Sequence, residues 1–403
     1  EILFLSVISP TAKIDLLSLS VIALSVLRPL FFFLSEIVII SLSSLPVKNL
    51  TFTVFLVTGN RSYELSGAKE QLETLLSDYN VTEFSDFEKN PKVEDLRRGI
   101  EKYRNSNSNI VLAVGGGSVL DMGKSIALLA GQSLDPEEYI TKRSAIVGES
   151  VPLIAVPTTS GSGSEATHFA VVYINKQKYS LAHQSMLPKY VVLDSKLTES
   201  LPVSITASTT MDAFSQGMES YWSVASTDES KSYAKGALEL IMKHGVANVN
   251  NPNSETRAAI QIAANLAGKA INISKTTACH AISYTFTSYF GIPHGHAVGL
   301  TLASLFEYNA AVSLDDCNDP RGSEYVQGVF SDLRNFLGVN SSAEAVSKIN
   351  SLMTDMGLET SLSVLGIGDC SEIAVKNVNL ERLGNNPRKI GAEEIKEVIL
   401  GIQ

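Results

Sequence analysis

The alternation of strand-like and helix-like segments from Thr51 to about Pro202 most strongly limits what this chain can fold into. Apolar runs at 54–58, 110–114 and 151–156 are each followed by small residues, and helical patterns lie between them. Strands that alternate with helices predict a mostly parallel sheet covered on both faces. After Pro202 the strand-like runs fade and long helical patterns continue to the end. The sequence therefore predicts an α/β domain followed by an all-helical domain.

The change of pattern also gives the expected domain limits. We expect an α/β domain over 51–203, a helical domain over 204–403, and an atypical apolar segment over 1–50. Charges interrupt this first segment, so it lacks the roughly 18 continuous apolar residues of a membrane span. It also lacks the basic start of a signal peptide. We expect it to be part of the first domain or to pack on it, with a strand near 37–40.

Charge and cysteine content exclude several classes of function. The 32 basic and 42 acidic residues give 32 − 42 = −10, with a pI of about 5.2. Such a balance argues against nucleic acid or a membrane surface as a partner. Three widely spaced cysteines without a C-x-x-C pair indicate neither a disulfide framework nor a zinc ribbon. A reducing, cytoplasmic setting is favoured.

A glycine cluster between a strand-like run and a helical pattern is the first candidate site. Gly115, Gly116, Gly117 and Ser118 follow the run 110–114, with Asp121 and Lys124 in the helix that begins there. Free backbone N–H groups and the helix dipole converge at such a point and would hold a diphosphate. A second small-residue loop, 157–165, follows the next strand. Doubly wound sheets bind ligands at the carboxyl ends of neighbouring strands, so both loops predict one binding site.

The histidines indicate a metal site. All six lie between His168 and His296, and three of them fall within 280–296. A spacing of four residues puts two side chains on one helix face, and Asp212 with Gln216, and His280 with Tyr284, have that spacing. No cysteine ligand is implied. Oxygen and nitrogen donors favour iron, zinc, manganese or nickel.

Four stretches in this order resemble the iron-activated, group III metal-dependent alcohol dehydrogenases: 115–124, 157–165, 206–213 and 280–295. The resemblance covers about 51–400. It implies a dehydroquinate synthase-like two-domain architecture, with a Rossmann-like dinucleotide-binding domain, a helical metal-binding domain and a metal in the cleft between them. NADP or NAD and a divalent metal, iron foremost, are the implied cofactors.

Carried over residue by residue, the resemblance implies Asp212, Gln216, His280 and His294 as metal ligands. Gln216 departs from the family, which usually has a histidine there, and an amide oxygen is the weaker donor. Tyr284 stands where many members have a histidine that helps in proton transfer. Tyr284 or His296 is therefore the expected catalytic proton donor.

The cofactor contacts are also implied by the resemblance. The glycine cluster would hold the diphosphate and the second loop the ribose and nicotinamide. At 59–62, where many members have an aspartate for the ribose 2′-OH, the chain has Gly-Asn-Arg-Ser. A 2′-phosphate would be tolerated there, so NADP(H) is favoured over NAD(H). The expected cofactor-binding residues are Gly59, Asn60, Gly115, Gly116, Gly117, Ser118, Asp121, Thr158, Thr159, Ser162 and Lys178.

The implied activity is metal-assisted hydride transfer between a nicotinamide and a small aldehyde or primary alcohol. The stretches 215–222, 279–284 and 294–296 look like the branch that includes phosphonoacetaldehyde reductases. Dehydroquinate synthase-like and glycerol-phosphate dehydrogenase-like enzymes share the architecture and stay open as alternatives. Gln216 and Tyr284 motivate a third alternative, a non-catalytic binding protein on the same fold. A homodimer is expected as the assembly, and Trp222 is expected to be a core residue.

Overall fold

A computed structural model describes residues 37–39, 53–175 and 177–403 of the chain. The predictions for the segment 1–50 therefore lie outside the described residues, apart from one short strand. The chain divides into two compact units. Among the described residues, the first unit extends to Thr158 and includes Ser164–Ser200, and the second comprises Thr159–Gly163 and Leu201–Gln403.

The first unit is built on a parallel sheet. Its eight described strands are β1 (Ile37–Ile39), β2 (Thr53–Thr58), β3 (Asn80–Phe84), β4 (Ile110–Gly115), β5 (Leu153–Pro157), β6 (Phe169–Ile174), β7 (Gln177–Ala182) and β8 (Tyr190–Val192). Six of them form one sheet in the order β1-β8-β5-β4-β2-β3, and β6 and β7 form an antiparallel hairpin. Every pairing in the larger sheet is parallel, which confirms the predicted α/β class.

Both faces of the sheet are buried, as the apolar runs predict. Along β2, Val54 and Leu56 belong to one apolar cluster, and Phe55 and Val57 belong to another. Successive side chains of a strand point to opposite faces, so helices must cover each side. The described helices of this unit are α1 (Ser62–Leu65), α2 (Ala68–Leu75), α3 (Val93–Arg104), α4 (Gly117–Leu129) and α5 (Pro136–Thr141).

The second unit is helical around one apolar core, as predicted. Its described helices are α6 (Val203–Trp222), α7 (Asp228–Asn250), α8 (Ser254–Ser274), α9 (Ala278–Phe290), α10 (His294–Ala310), α11 (Ser323–Leu337), α12 (Ser342–Asp355), α13 (Ser371–Asn377), α14 (Leu380–Gly384) and α15 (Ala392–Leu400). Pro202 and Pro293 are the N-cap residues of α6 and α10. A proline fits a helix start because it needs no N–H partner there. Among the described helices, none is both long and apolar enough to cross a membrane.

The segment Thr159–Gly163, which follows β5 in the sequence, belongs to the helical unit. The sequence did not predict this. A Cβ on Gly161 would lie 2.5 Å from Thr209 Cβ in α6, and a Cβ on Gly163 would lie 2.5 Å from Gly268 Cα in α8. Gly163 also has φ +59, a conformation that favours glycine. The glycines let the segment Thr159–Gly163 lie directly against both helices.

Candidate metal centre and cofactor site

One face of α6 carries the polar side chains of the candidate metal centre. Asp212, Gln216 and Glu219 are spaced by four and three residues, which puts them on the same side of a helix. All three are buried, and Glu219 has no exposed surface. Buried carboxylates are rare unless they are paired or bind a metal. This face of α6 is therefore the candidate metal-binding face.

A close helix contact brings His294 to this face. Gly295 in α10 packs on α6 so closely that a Cβ there would overlap the Ser208 carbonyl oxygen and lie 2.7 Å from Asp212 Cβ. The backbone N–H of His296 donates to Ser208 Oγ at 3.2 Å, which fixes the same contact. His294 is the first residue of α10, so the contact holds it beside Asp212.

Three side chains come together as a group that could hold a metal ion. One ligand atom from each of Asp212, His280 and His294 lies within 4.8 Å of the other two. The His280 Nε2 atom is 3.4 Å from Asp212 Oδ1, and the two imidazole rings are 5.4 Å apart at their centres. Asp212 Oδ1 is buried without a hydrogen-bond partner among the described residues. A carboxylate and two imidazoles suit iron, zinc or manganese, so the residues fit a divalent ion.

Gln216 contributes an amide oxygen beside this group. Its Nε2 donates to the Ser162 carbonyl at 3.3 Å, which leaves Oε1 as the remaining polar atom. That oxygen is buried and has no hydrogen-bond partner within the described part of the chain. A metal ion bound to this oxygen would satisfy it, and Gln216 stays the predicted fourth ligand.

The electrostatics of the group favour a cation. Burial alone would lower the pKa of His280, but the Glu219 and Asp212 carboxylates raise it to about 9. Burial opposes ionisation of Asp212, yet the His280 and His294 imidazoles lower its pKa. The pKa of Glu219 is also lowered, since His280 and Thr277 outweigh its burial. Two ionised carboxylates surround His280, and a divalent ion would replace the proton on its Nε2.

Glu219 is the site residue that sequence reasoning missed. Its Oε2 contacts His280 Nδ1, the ring nitrogen on the far side from Asp212. Its Oε1 accepts hydrogen bonds from the Thr277 hydroxyl at 2.7 Å and from the Thr277 N–H at 2.9 Å. The available signal was its spacing, because residue 219 lies seven positions after Asp212, two helical turns along the same face.

Of the two predicted proton donors, Tyr284 lies beside the metal group. Its ring stacks on His294 with 6.2 Å between centres and 26° between planes. His296 is buried, and its Nε2 donates to the Glu359 carbonyl at 2.7 Å. Burial is the main cause of its lowered pKa. Residues 294 and 296 are two positions apart and therefore lie on different faces of α10. The contact that the structure shows for the His296 ring is its hydrogen bond to Glu359.

The predicted diphosphate loop lies where a parallel sheet binds ligands. Gly115 ends β4, Gly116 is the N-cap of α4 and Gly117 is the first residue of that helix. In the sheet, β4 lies between β2 and β5, with Val114 opposite Thr58 and Gly115 opposite Pro157. Gly59, the glycine cluster and Thr158 therefore follow the ends of adjacent strands. Thr158 Oγ1 is buried without a hydrogen-bond partner in the described residues, an orphan hydroxyl that a bound cofactor would satisfy. These residues fit a dinucleotide.

Several other predicted cofactor residues have internal partners. Asp121 accepts hydrogen bonds from Ser164 Oγ at 2.5 Å and from the Val171 N–H at 2.9 Å, which attaches β6 to α4. Ser118 Oγ accepts from the Asn90 N–H at 3.4 Å. Lys178 lies in β7 opposite Tyr173. Asn60 is exposed just after β2, and Thr159 and Ser162 belong to the second unit.

Fold and candidate site together are typical of a two-unit oxidoreductase, with a dinucleotide-type α/β unit and a helical unit that contains a candidate metal-ligand group. Residues 41–195 match the family described as iron-containing alcohol dehydrogenase, and residues 206–402 match the C-terminal region of the Fe-containing alcohol dehydrogenase family. The chain belongs to the iron-containing alcohol dehydrogenase family.

Individual relatives agree with this assignment. The chain is 34% identical over 308 residues to a phosphonoacetaldehyde reductase of Streptomyces viridochromogenes, covering 74% of this chain and 77% of that protein. It is 28% identical to NADH-dependent butanol dehydrogenase A of Clostridium acetobutylicum, over 87% of this chain and 92% of that protein. A solved structure of sulfoacetaldehyde reductase from Bifidobacterium kashiwanohense in complex with NAD+ is similar with a TM-score of 0.77 and 29% identity, over 87% of this chain and 91% of that chain.

Family membership confirms the predicted class of protein. The chain is an enzyme of the NAD(P)-linked, metal-dependent alcohol dehydrogenase and aldehyde reductase class. The family match favours this class over the dehydroquinate synthase-like, glycerol-phosphate dehydrogenase-like and non-catalytic alternatives. The individual site residues and the substrate stay predictions.

Proposed function

We propose that this enzyme uses Asp212, His280 and His294, with Gln216, to bind a divalent metal, and that it reduces a small aldehyde to a primary alcohol with NADPH. The observation that carries the proposal is the group of three ligand atoms, all within 4.8 Å of one another. The buried oxygens Asp212 Oδ1 and Gln216 Oε1, which accept no hydrogen bond from the described residues, support it, because a cation would satisfy both.

When bound, the ion would act as a Lewis acid on the substrate carbonyl, and the nicotinamide would supply the hydride. The chain's own residues bind and orient these groups. Gly115 to Ser118 would hold the diphosphate at the N-terminus of α4, where backbone N–H groups and the helix dipole favour anions. The alcohol product needs one proton, and Tyr284 Oη is the donor we assign because its ring stacks on His294.

The substrate is proposed to carry an anion, and phosphonoacetaldehyde is the specific candidate. A phosphonoacetaldehyde reductase and a sulfoacetaldehyde reductase are both among the relatives, and both names denote a two-carbon aldehyde with an anionic group. An anionic substrate requires a basic group near the metal.

Lys269 in α8 is the basic residue we assign to this anion. It is 8% exposed and follows Gly268, which contacts the loop glycine Gly163. The neighbouring residue of that loop, Ser162, accepts the hydrogen bond from Gln216. Lys269 therefore belongs to the part of the helical unit that contains the metal ligands.

A comparison of aldehydes of equal length tests the substrate. Initial rates of NADPH oxidation are measured with phosphonoacetaldehyde, sulfoacetaldehyde and propionaldehyde, for the wild-type enzyme and for Lys269→Gln. We expect kcat/KM to be highest for phosphonoacetaldehyde and to fall for both anionic aldehydes in the variant, with propionaldehyde unaffected. Equal kcat/KM for charged and neutral aldehydes in the wild-type enzyme would refute the anionic substrate but not the reductase.

The preference for NADP(H), the cytoplasmic location and the homodimer are part of the same proposal. Gly59 supplies no carboxylate against a 2′-phosphate, and Arg61, two residues later, is a basic group that favours one. The Glu83 carboxylate, which accepts from Thr58 Oγ1, is a nearby group that opposes a 2′-phosphate. Steady-state KM values for NADPH and NADH test the cofactor, fractionation of the source cells tests the location, and light scattering tests the dimer. A lower KM for NADH would refute the cofactor preference.

A further inference from the structure

The orientation of His280 requires a partner on the side of its ring away from the metal. An imidazole binds a metal through one nitrogen, and the hydrogen bond of the other nitrogen sets the tautomer and the ring orientation. In this structure Nε2 is 3.4 Å from Asp212 Oδ1, and Nδ1 contacts Glu219 Oε2. A carboxylate that accepts a hydrogen bond from Nδ1–H leaves the Nε2 lone pair for a metal.

Glu219 is itself held in one position. It is fully buried, and its Oε1 accepts from the Thr277 hydroxyl and from the backbone N–H groups of Thr277, Cys279 and His280 at 2.7 to 3.3 Å. A side chain with four donors on one oxygen has no freedom to rotate. The other oxygen is thereby fixed against His280 Nδ1.

The same carboxylate caps the helix that carries His280. Thr277 is the N-cap residue of α9, and its own side chain makes no capping hydrogen bond to that helix. Glu219, which comes from α6, satisfies the first N–H groups of α9 in its place, where the helix dipole also favours an anion. Glu219 therefore fixes both the backbone and the ring of His280 relative to α6, the helix that contains Asp212.

Trp222, the only tryptophan of the chain, is linked by hydrogen bonds to Glu219. Trp222 Nε1 donates to Thr277 Oγ1 at 2.9 Å, and its ring stacks on Phe330 in the core. The hydrogen bonds run from Trp222 through Thr277 and Glu219 to His280. A change at Glu219 should consequently change the fluorescence of Trp222.

We propose that Glu219 is a positioning residue of the metal centre, which holds His280 as the Nδ1–H tautomer with Nε2 directed toward Asp212 and the ion. This inference rests on the proposed metal site. It assigns to Glu219 a role in metal affinity and ring orientation beyond its contribution to packing.

The test compares Co²⁺ binding to the full-length wild-type protein and to Glu219→Gln, by chelator competition. We expect the dissociation constant for Co²⁺ to rise about 10- to 100-fold in the variant. Asp319→Asn is the matched control, because it removes another buried carboxylate of this unit that pairs with Arg321 and not with the metal group. Its Co²⁺ affinity should equal that of the wild-type protein.

Thermal unfolding of the metal-free proteins separates a positioning role from a merely structural one. If Glu219→Gln lowers stability and leaves the Co²⁺ dissociation constant unchanged, the proposal is overturned. If the wild-type protein binds no Co²⁺ at this site, the proposed function fails and the positioning role fails with it. Unchanged binding in the variant alone overturns only the role of Glu219.

A measurement on the wild-type protein keeps the proposal testable even if Glu219→Gln does not fold. In Zn²⁺-loaded protein with ¹⁵N-labelled histidine, NMR gives the tautomer of each ring, and His280→Asn identifies the His280 signals. We expect Nδ1 of His280 to carry the proton and Nε2 to have the shift of a metal-bound nitrogen. A protonated Nε2, or a metal-bound Nδ1, would overturn the assignment.

Discussion

Replacing Gly295 with alanine tests how the fold positions the metal ligands. In the native contact a Cβ at this position would overlap the Ser208 carbonyl oxygen and lie 2.7 Å from Asp212 Cβ. Ordinary van der Waals contact begins at 3.4 Å, so the Asp212 contact alone requires α10 to move from α6 by about 3.4 − 2.7 = 0.7 Å, and the tighter overlap with the Ser208 carbonyl oxygen requires more. Overpacking of this kind typically costs about 1–3 kcal/mol of folding free energy.

The same movement displaces a metal ligand. His294 precedes Gly295 at the start of α10, so a shift of the helix carries its imidazole away from Asp212. Metal–ligand distances in proteins vary by only about 0.2 Å from their usual values, well below the required shift. We therefore expect Gly295→Ala to lower the melting temperature and to reduce the metal content per chain.

Thermal unfolding and elemental analysis measure both effects. The control is Gly328→Ala in α11, where an added Cβ would meet no atom of the described residues within 4 Å. Alanine in a helix interior is favoured over glycine by about 0.5–1 kcal/mol, so the control should be as stable as the wild-type protein or more stable. A Gly295→Ala protein with unchanged melting temperature and full metal content would refute the close contact of α6 and α10.

Three further predictions concern individual side chains. Tyr284→Phe should lower kcat by about 10²- to 10⁴-fold with unchanged metal content, because it removes only the proton donor, and an unchanged kcat would contradict that role. Glu83→Gln should lower the KM for NADPH relative to that for NADH. The Glu83 carboxylate accepts from Thr58 Oγ1 at 2.9 Å beside the expected 2′-phosphate position, and Glu101→Gln, on the exposed face of α3, is the control. Gln216→His should bind Co²⁺ more tightly in chelator competition, since imidazole is the stronger donor, whereas weaker binding would exclude residue 216 as a ligand.

The sequence predicted most of the first unit because buried parallel strands have continuous apolar runs. Both β2 and β4 lie within such runs, and the glycine cluster follows β4 directly. It did not predict β3, a strand at the edge of the sheet in which only Phe84 is buried. Nor did it predict the hairpin of β6 and β7, although β6 is a continuous apolar run from Phe169 to Ile174. In β7 only Leu181 is buried, so that strand has neither an apolar run nor an alternating pattern.

The candidate site was predictable where local spacing decides it. Asp212 and Gln216 share a face of α6 through simple helix periodicity. Glu219 was missed because its partner His280 lies 61 residues away, and only packing brings a buried carboxylate to the start of α9. The close contact of Gly295 with α6 depends in the same way on helix packing, which a single sequence does not contain.

Metal content and turnover of the wild-type enzyme and of His280→Ala test the central claim most directly. The wild-type enzyme, purified without chelator, should contain about one divalent ion per chain, and chelation should abolish NADPH-dependent aldehyde reduction. Adding the ion back should restore the activity, whereas His280→Ala should be folded, metal-poor and inactive. A metal-free wild-type enzyme that still reduces aldehydes, or a His280→Ala variant with full metal content, would contradict the assigned metal centre.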